Sequence, residues 1–366
     1  MKRACLLGAA LALDLSTAYA QSTVTLYGLI DENVRYVTNV NAKSEDKVGL
    51  GNGGLSESMF GLKGTEDLGG GLKAVFQIEN RFFPNSGITD PAYPFFNTAF
   101  VGLQSAKAGR LTLGRQFNPL ADAMVRNYSS NAWLPTVYVF KPEATMAEGV
   151  WSSNMAKYVA RYEFVQVELS YSFGNVAGEF SHGRQMGAML EYSSGGPFRA
   201  AAAWVDATDA NNGAHSKAWT LGASYLWGNT RFNAGYVENR LDAGFSSYPN
   251  GPFTPAALAA LKYTDFSKRR MYFGGVTQQV GDLTHISGNV WRTLQDGQTA
   301  SKDGSATQYQ MVLDYGLSKR TSVYAEVDYA DYRGGLIGAQ LQGINAPSSA
   351  GTGNQLGAML GMRHVF

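Results

Sequence analysis

The stretch Gln355-Leu356-Gly357-Ala358-Met359-Leu360-Gly361-Met362-Arg363-His364-Val365-Phe366 alternates in character from residue to residue. Leu356, Ala358, Leu360, Met362 and Phe366 share one parity, broken only by His364, while Gln355, Gly357, Gly361 and Arg363 fall on the other. Successive side chains of a strand point to opposite faces, so this is a strand with apolar surroundings on one side and water on the other. Ends of soluble domains are usually frayed and solvated. An exposed terminal aromatic fits better on a strand whose outer face meets lipid. The expectation is a membrane β-barrel whose ring this strand closes.

At the opposite end, Lys2 and Arg3 precede an apolar run from Ala4 to Leu13, and Ala18-Tyr19-Ala20 has the small-x-small form of a cleavage site. The run is shorter than the about 20 apolar residues of a spanning helix. Residues 1–20 are therefore expected to be a signal peptide, cleaved before Gln21, that sends the chain across the inner membrane. Cys5 leaves with it, and the mature chain then has no cysteine. That excludes a disulfide framework and any Cys-ligated metal.

Aromatic residues make up 12% of the chain and glycine 43 of its 366 residues, while charged residues are only 16%. Ordinary soluble domains carry about 25% charged residues. Mean hydropathy is nonetheless slightly negative. Half-apolar strands give that combination; apolar helices do not. Formal charge falls from +1 to 0 when Lys2, Arg3 and Asp14 are removed. A neutral balance argues against nucleic acid as a partner.

After Gln21, runs of alternating residues are joined by short and long connections in turn. The short ones are 66–70, 105–109, 193–196, 228–229, 280–282 and 317–320, each with Gly, Asn, Asp or Ser suited to a tight turn. Longer polar stretches lie near 39–55, 84–94, 117–153, 175–184, 207–216, 241–266, 294–304 and 333–353. Sixteen runs are counted, an even number, as a closed antiparallel ring requires. Val165, Val167, Leu169, Tyr171 and Phe173 form one outward face, and Trp219, Leu221, Ala223, Tyr225 and Trp227 another with aromatics at both ends. In 323–329, Tyr324, Glu326 and Asp328 face inward. A soluble sandwich would fill that inner parity with a hydrophobic core. Here it reads Glu, Asp, Gln, Ser and Arg.

Val24-Thr25-Leu26-Tyr27-Gly28 with Asp31, and Phe60-Gly61-Leu62-Lys63-Gly64-Thr65-Glu66-Asp67-Leu68-Gly69-Gly70-Gly71-Leu72-Lys73-Ala74, resemble the general porins of Gram-negative bacteria, most closely the betaproteobacterial branch. Phe100-Val101-Gly102-Leu103, Gly109-Arg110-Leu111-Thr112-Leu113-Gly114-Arg115-Gln116 and Phe366 extend the likeness over residues 21–366. The resemblance implies an all-β, sixteen-stranded antiparallel transmembrane barrel, a homotrimer, with the long third loop folded into the lumen. It also implies an outer-membrane location among lipid and lipopolysaccharide, and passage of small hydrophilic solutes and ions by diffusion. Phe366 would then belong to the signal read by the barrel-assembly machinery.

Residues 117–153 are the longest connection, opened by Asn118-Pro119, and a loop of that length is usually functional. Pro135 and Pro142 argue against a long helix, while 120–125 allow one helical turn or two. Trp133, Leu134, Val137, Tyr138 and Phe140 are costly to expose, which favours packing inside the barrel over a mobile external lid. A constriction sorts solutes by opposing charges across a narrow gap. Inward parity supplies Arg35, Arg81, Lys157 and Arg161 as its basic side. The resemblance adds Arg115, although strict alternation places Arg115 with outward Leu111 and Leu113 unless a bulge or strand end turns it. Asp122, Glu143 and Glu148 of the loop are the acidic candidates. If the bases outweigh the acids there, weak anion preference follows.

Enzymatic readings find little. The histidines are His182, His215, His285 and His364. His285 on a lipid-facing position would resemble the site of an outer-membrane lipid hydrolase, but no serine motif accompanies it. Gly49-x-Gly51-x-Gly53-Gly54 lacks the Lys-Ser/Thr sequel of a phosphate loop. No catalytic residue, metal site or cofactor is expected. The alternative within the same class is a substrate-specific channel, for which inward Tyr27 and Tyr324 make too sparse an aromatic ladder.

Overall fold

A computed structural model describes residues 22–91, 94–124, 149–246, 248–252, 254–339 and 352–366. Residues 1–20, expected to be a signal peptide, Glu143, Glu148 and most of the 117–153 loop lie outside the described residues.

Sixteen antiparallel strands close into a barrel. They begin with β1 (Thr23–Val37), β2 in two pieces (Lys47–Asn52 and Met59–Gly69), β3 (Leu72–Phe83), β4 (Thr98–Ser105) and β5 (Gly109–Phe117). Next come β6 (Trp151–Tyr162), β7 (Val165–Ser172), β8 (Gln185–Ser193), β9 (Phe198–Thr208), β10 (His215–Trp227) and β11 (Thr230–Leu241). The ring is completed by β12 (Phe266–Val280), β13 (Thr284–Gly297), β14 (Gly304–Gly316), β15 (Thr321–Gly334) and β16 (Asn354–Val365). Ile88–Thr89 folds back on the end of β3 as a small arm outside the ring. Each strand pairs with its sequence neighbours, and β1 closes on β16 from Leu29↔Val365 to Val37↔Gly357. The Gly28 and Phe366 backbones add two hydrogen bonds of 3.2 and 2.9 Å at the seam.

Short turns gather at one rim and long loops at the other. Gly69, Gly70 and Gly71 all have φ between +62° and +84°, a conformation that costs a residue with a Cβ. The outward parity is as expected: Leu356, Leu360, Met362 and Phe366 on β16, Leu169 and Phe173 at β7, Trp219, Leu221, Tyr225 and Trp227 on β10 are exposed. Gly28 faces outward too, but the ring of Phe366 from the same chain covers it, so a side chain there would collide with that ring and with the Met59 carbonyl.

The inner wall departs from the sequence expectation in three places. First, it is not uniformly polar. Met189, Ala201, Ala203, Val205, Val237, Phe273 and Trp291 form one buried cluster with Leu120, Ala123 and Met124. These last three belong to or follow a short helical turn, α1 (Pro119–Ala121), that packs on β8, β9 and β10. A lumen-facing side chain covered by another segment meets no water, so it is free to be apolar. Second, β2 is broken at residues 53–58, where Leu55 packs against Val312, Tyr324 and Met359. The break is held by Ser56 N–H donating to Asp31 Oδ2 (2.8 Å) and Asp31 N–H to Ser58 Oγ (2.9 Å). Third, His285 shares the parity of buried Ser287 and Asn289, and so faces the lumen, not lipid.

Over the long-loop rim, α2 (Pro255–Ala260) is capped by Thr254 and packs Leu258 with Phe245, Tyr248, Leu261, Tyr263 and Phe266. Burial pushes the Tyr263 phenol well above its ordinary pKa. Lys262 Nζ donates to the carbonyls of Gly335 (3.4 Å) and Ile337 (2.7 Å), tying this loop to the one after β15.

Candidate functional site

Arg35 faces the lumen from β1. Its Nη1 lies 3.3 Å from Glu326 Oε2 and its Nη2 2.5 Å from Asp328 Oδ2, both on β15. The strand between them is β16, whose inward residue at that level, paired with both Val37 and Asp328, is Gly357. A Cβ there would strike the Arg35 guanidinium and the Asp328 carboxylate, so the missing side chain is what lets the pair close over the strand. Gly361 repeats the device two inward positions along: Tyr324 of β15 reaches across it to donate to Asp31 Oδ1 of β1 at 2.5 Å.

Arg81 on β3 forms an ion pair with Glu57 from the break in β2, and its guanidinium carbon sits 4.3 Å over the Trp151 ring. Trp151 in turn packs on Phe117 with ring centroids 4.8 Å apart. The irregularity that Arg115 required is present. Pairing of β5 with β6 slips between Gly114 and Gln116, opposite Asn154 with φ +52°. Arg115 is 8% exposed, and its Nη1 donates to Ser153 Oγ at 2.8 Å.

Lys157 on β6 is buried and pairs with Asp122, with Glu168 Oε2 3.6 Å away and the Phe117 carbonyl at 3.1 Å. Asp122 is delivered by α1, whose start is fixed by Asn118: its side chain accepts from Ala121 N–H (2.9 Å) and donates to the Gly149 carbonyl (2.9 Å). Arg161 stands apart. It lies four residues beyond Lys157, about 13 Å along β6 at strand rise, next to the short-turn rim. There it meets Glu191 at 3.5 Å and Gln166 at 3.1 Å.

The structure thus joins Lys157 to Asp122 and keeps Arg161 at another depth. Apart from Asp122, the carboxylates paired with these bases come from the wall, Glu326, Asp328, Glu168 and Glu191, and from Glu57. Glu57 went unmarked in the sequence because it falls just after the stretch near 39–55 that reads as a loop and before the alternating strand from Met59. Its signal was the loss of alternation there. Toward the short-turn mouth, Lys63, Lys73, Arg110, Arg199 and Arg231 lie on inward parity. None has a carboxylate partner among the described residues; Lys63 sits 5.0 Å from the Tyr27 ring centroid and Arg231 bonds Ser224 Oγ at 3.4 Å. No cluster of three or more His, Cys, Asp or Glu side chains suited to a metal occurs among the described residues.

A family model of Gram-negative porins matches residues 8–335. Over 378 residues, all of both chains, the sequence is 28% identical to outer membrane porin protein 32 of Delftia acidovorans. It is also 28% identical to an outer membrane porin protein of Bordetella pertussis over 379 residues, 90% of this chain and 94% of that one. Among solved structures, an anion-selective porin from Comamonas acidovorans matches with TM-score 0.74 and 27% identity, covering 94% of this chain and 100% of its own. Salmonella typhi OmpF shares the fold at TM-score 0.65 and 17% identity, covering 94% of this chain and 97% of that one. With a family match that spans most of its length, this chain belongs to the Gram-negative porins.

Proposed function

We propose that the channel weakly prefers anions and is narrowed by residues 117–153. As a Gram-negative porin the protein is an outer-membrane diffusion channel for small hydrophilic solutes and ions, and not an enzyme. The observation that carries the anion preference is the set of five lumen cations without carboxylate partners among the described residues: Lys63, Lys73, Arg110, Arg199 and Arg231. Arg35 and Lys157 each face two carboxylates, and Arg81 faces one, so these deeper bases add little net positive charge. The likeness to an anion-selective porin supports the same sign. For the constriction, the support is the seating of Leu120, Ala123 and Met124 on the apolar inner wall. Glu143 and Glu148 would then oppose Arg81 and Arg115 across the gap.

The assembly we infer is a homotrimer, inserted by the barrel-assembly machinery through a signal that includes Phe366 and surrounded by outer-membrane lipid and lipopolysaccharide. Planar-bilayer recording tests the channel reading. Stepwise ohmic conductance that scales with bulk salt, with a reversal potential of anionic sign in a salt gradient, is expected. Saturation by one solute would point to a substrate-specific channel, and a cationic reversal potential would overturn the selectivity.

A further inference from the structure

We propose that His285 is a proton-controlled selectivity residue at the short-turn mouth of the pore. It is the second residue of β13, on inward parity, directly opposite Asp314 of β14 and Gln279 of β12. Of the four histidines, His182 and His215 stand at the long-loop rim, and His364 lies on the outward parity of β16 beside the Thr321 hydroxyl at 2.9 Å. His285 is thus the one histidine on the inner wall among the described residues. Imidazole is the side chain whose charge ordinarily changes between about pH 5 and 8. A histidine on the lumen wall therefore makes the charge of the mouth depend on pH.

The surroundings of His285 suit a proton there. Asp314 is buried; its Oδ2 lies 3.7 Å from Arg363 Nη2, while its Oδ1 accepts no hydrogen bond among the described residues. Residues directly opposite on antiparallel strands have Cβ atoms about 4.5–5.5 Å apart, so an imidazolium at position 285 faces that open acceptor. Arg363 is held from its other side, where Nη1 donates to Ser56 Oγ at 3.3 Å. On the opposite flank β12 presents neutral Gln279 and Thr277, and Arg231 of β11 follows, opposite Thr277. Asp282 lies in the turn before β13, and Lys319 and Arg320 in the turn after β14. While His285 is neutral, Asp314 and Arg363 cancel. Its protonation adds one positive charge between Arg363 and Arg231, on the rim where Lys63, Lys73, Arg110 and Arg199 already stand. Anion preference then rises as pH falls and fades as pH rises.

The proposal rests on the porin reading. Full-length protein in planar bilayers, under a potassium chloride gradient, is read as reversal potential at about pH 8 and about pH 5. Wild type should gain about two-fold in anion-to-cation permeability on acidification. Wall carboxylates such as Asp31, Glu326 and Asp328 also take up protons in acid and move selectivity the same way, so the decisive quantity is the difference between wild type and His285→Gln. That variant should gain much less. His285→Lys, whose charge is fixed over this range and stays opposite Asp314, should at the higher pH already match wild type at the lower. Equal shifts in wild type and His285→Gln overturn the proposal. So does a His285→Lys channel that matches wild type at the higher pH, or a wild-type reversal potential that does not move with pH. If heat-modifiable gel migration shows that His285→Gln does not fold, the His285→Lys comparison decides alone. Conductance without a shift that depends on His285 sinks only this proposal; absence of conductance in wild type sinks the porin reading.

Discussion

Gly357 and Gly361 show how little a single position needs to do to shape the pore. Each is an inward position on β16 left without a side chain, and through each gap a residue of β15 meets one of β1. Gly357→Val would place two methyl groups where the Arg35–Asp328 pair now closes. We expect a loss of about 1–3 kcal/mol from overpacking, seen as a lower temperature for conversion of the folded to the unfolded gel band. Arg35→Gln acts differently. It leaves Glu326 and Asp328 buried and adjacent without their cation, a change that costs about 3–5 kcal/mol when a buried pair is broken. Surviving channels should show a reversal potential moved toward cations, because the lumen gains net negative charge. A reversal potential that stays put would mean that these groups do not face the permeant ions.

The last strand was readable because everything that defines it is local: a period of two, a polar face and an apolar one. The same holds for the two rims and for the strands other than Lys47–Asn52, which lies in the stretch near 39–55 read as a loop and instead pairs with β1. What could not be read depends on parts of the chain far away in sequence. Trp291 and Phe273 look misplaced on an inward face until α1 and its successors cover them, and Glu57 looks like loop until Asp31 and Arg81 hold the break in β2. Arg115 lay between the two cases, since alternation called for an irregularity and the Gly114–Gln116 slip supplies it. The proposed part of β16 in assembly leads to a further expectation. Phe366 covers Gly28 and exchanges two backbone bonds with it, so the residue is a structural part of the seam. Deleting Phe366 should lower the amount of folded protein in the outer membrane while leaving export across the inner membrane intact. Cell fractionation with gels of unheated samples reads both, and undiminished folded protein in the outer membrane would count against the idea.

Around its circumference the barrel has two kinds of wall. One sector carries every outward Lys and Arg of the described strands; the other, β16 and β1–β9, carries none, and suits contact with further copies of the chain. Unheated samples should therefore run as a trimer, and introducing Lys at Leu113 or Val101 should shift them to monomer, whereas Lys at Leu221 should not. Inside, charge is likewise unevenly spread, but by depth. At the level of Arg35, Arg81 and Lys157 each base faces one or two carboxylates, so the field is mostly transverse and its net sign is small. Nearer the short-turn mouth, Lys63, Lys73, Arg110, Arg199 and Arg231 come from β2, β3, β5, β9 and β11, surrounding much of the opening with positive charge. Anions are then concentrated at one mouth and sorted little further in, which gives a weak selectivity, sensitive to screening. Replacing Lys63, Arg110 and Arg231 together by Gln should move the reversal potential toward cations with little loss of conductance, since none of the three holds an ion pair among the described residues. The shift should be largest near 0.1 M salt, where the Debye length of about 10 Å reaches across much of a narrow lumen, and should nearly vanish at 1 M, where it is about 3 Å. No shift at either salt concentration would place the selecting charges deeper, at the Arg81 and Lys157 level, and would overturn the mouth as the origin of selectivity.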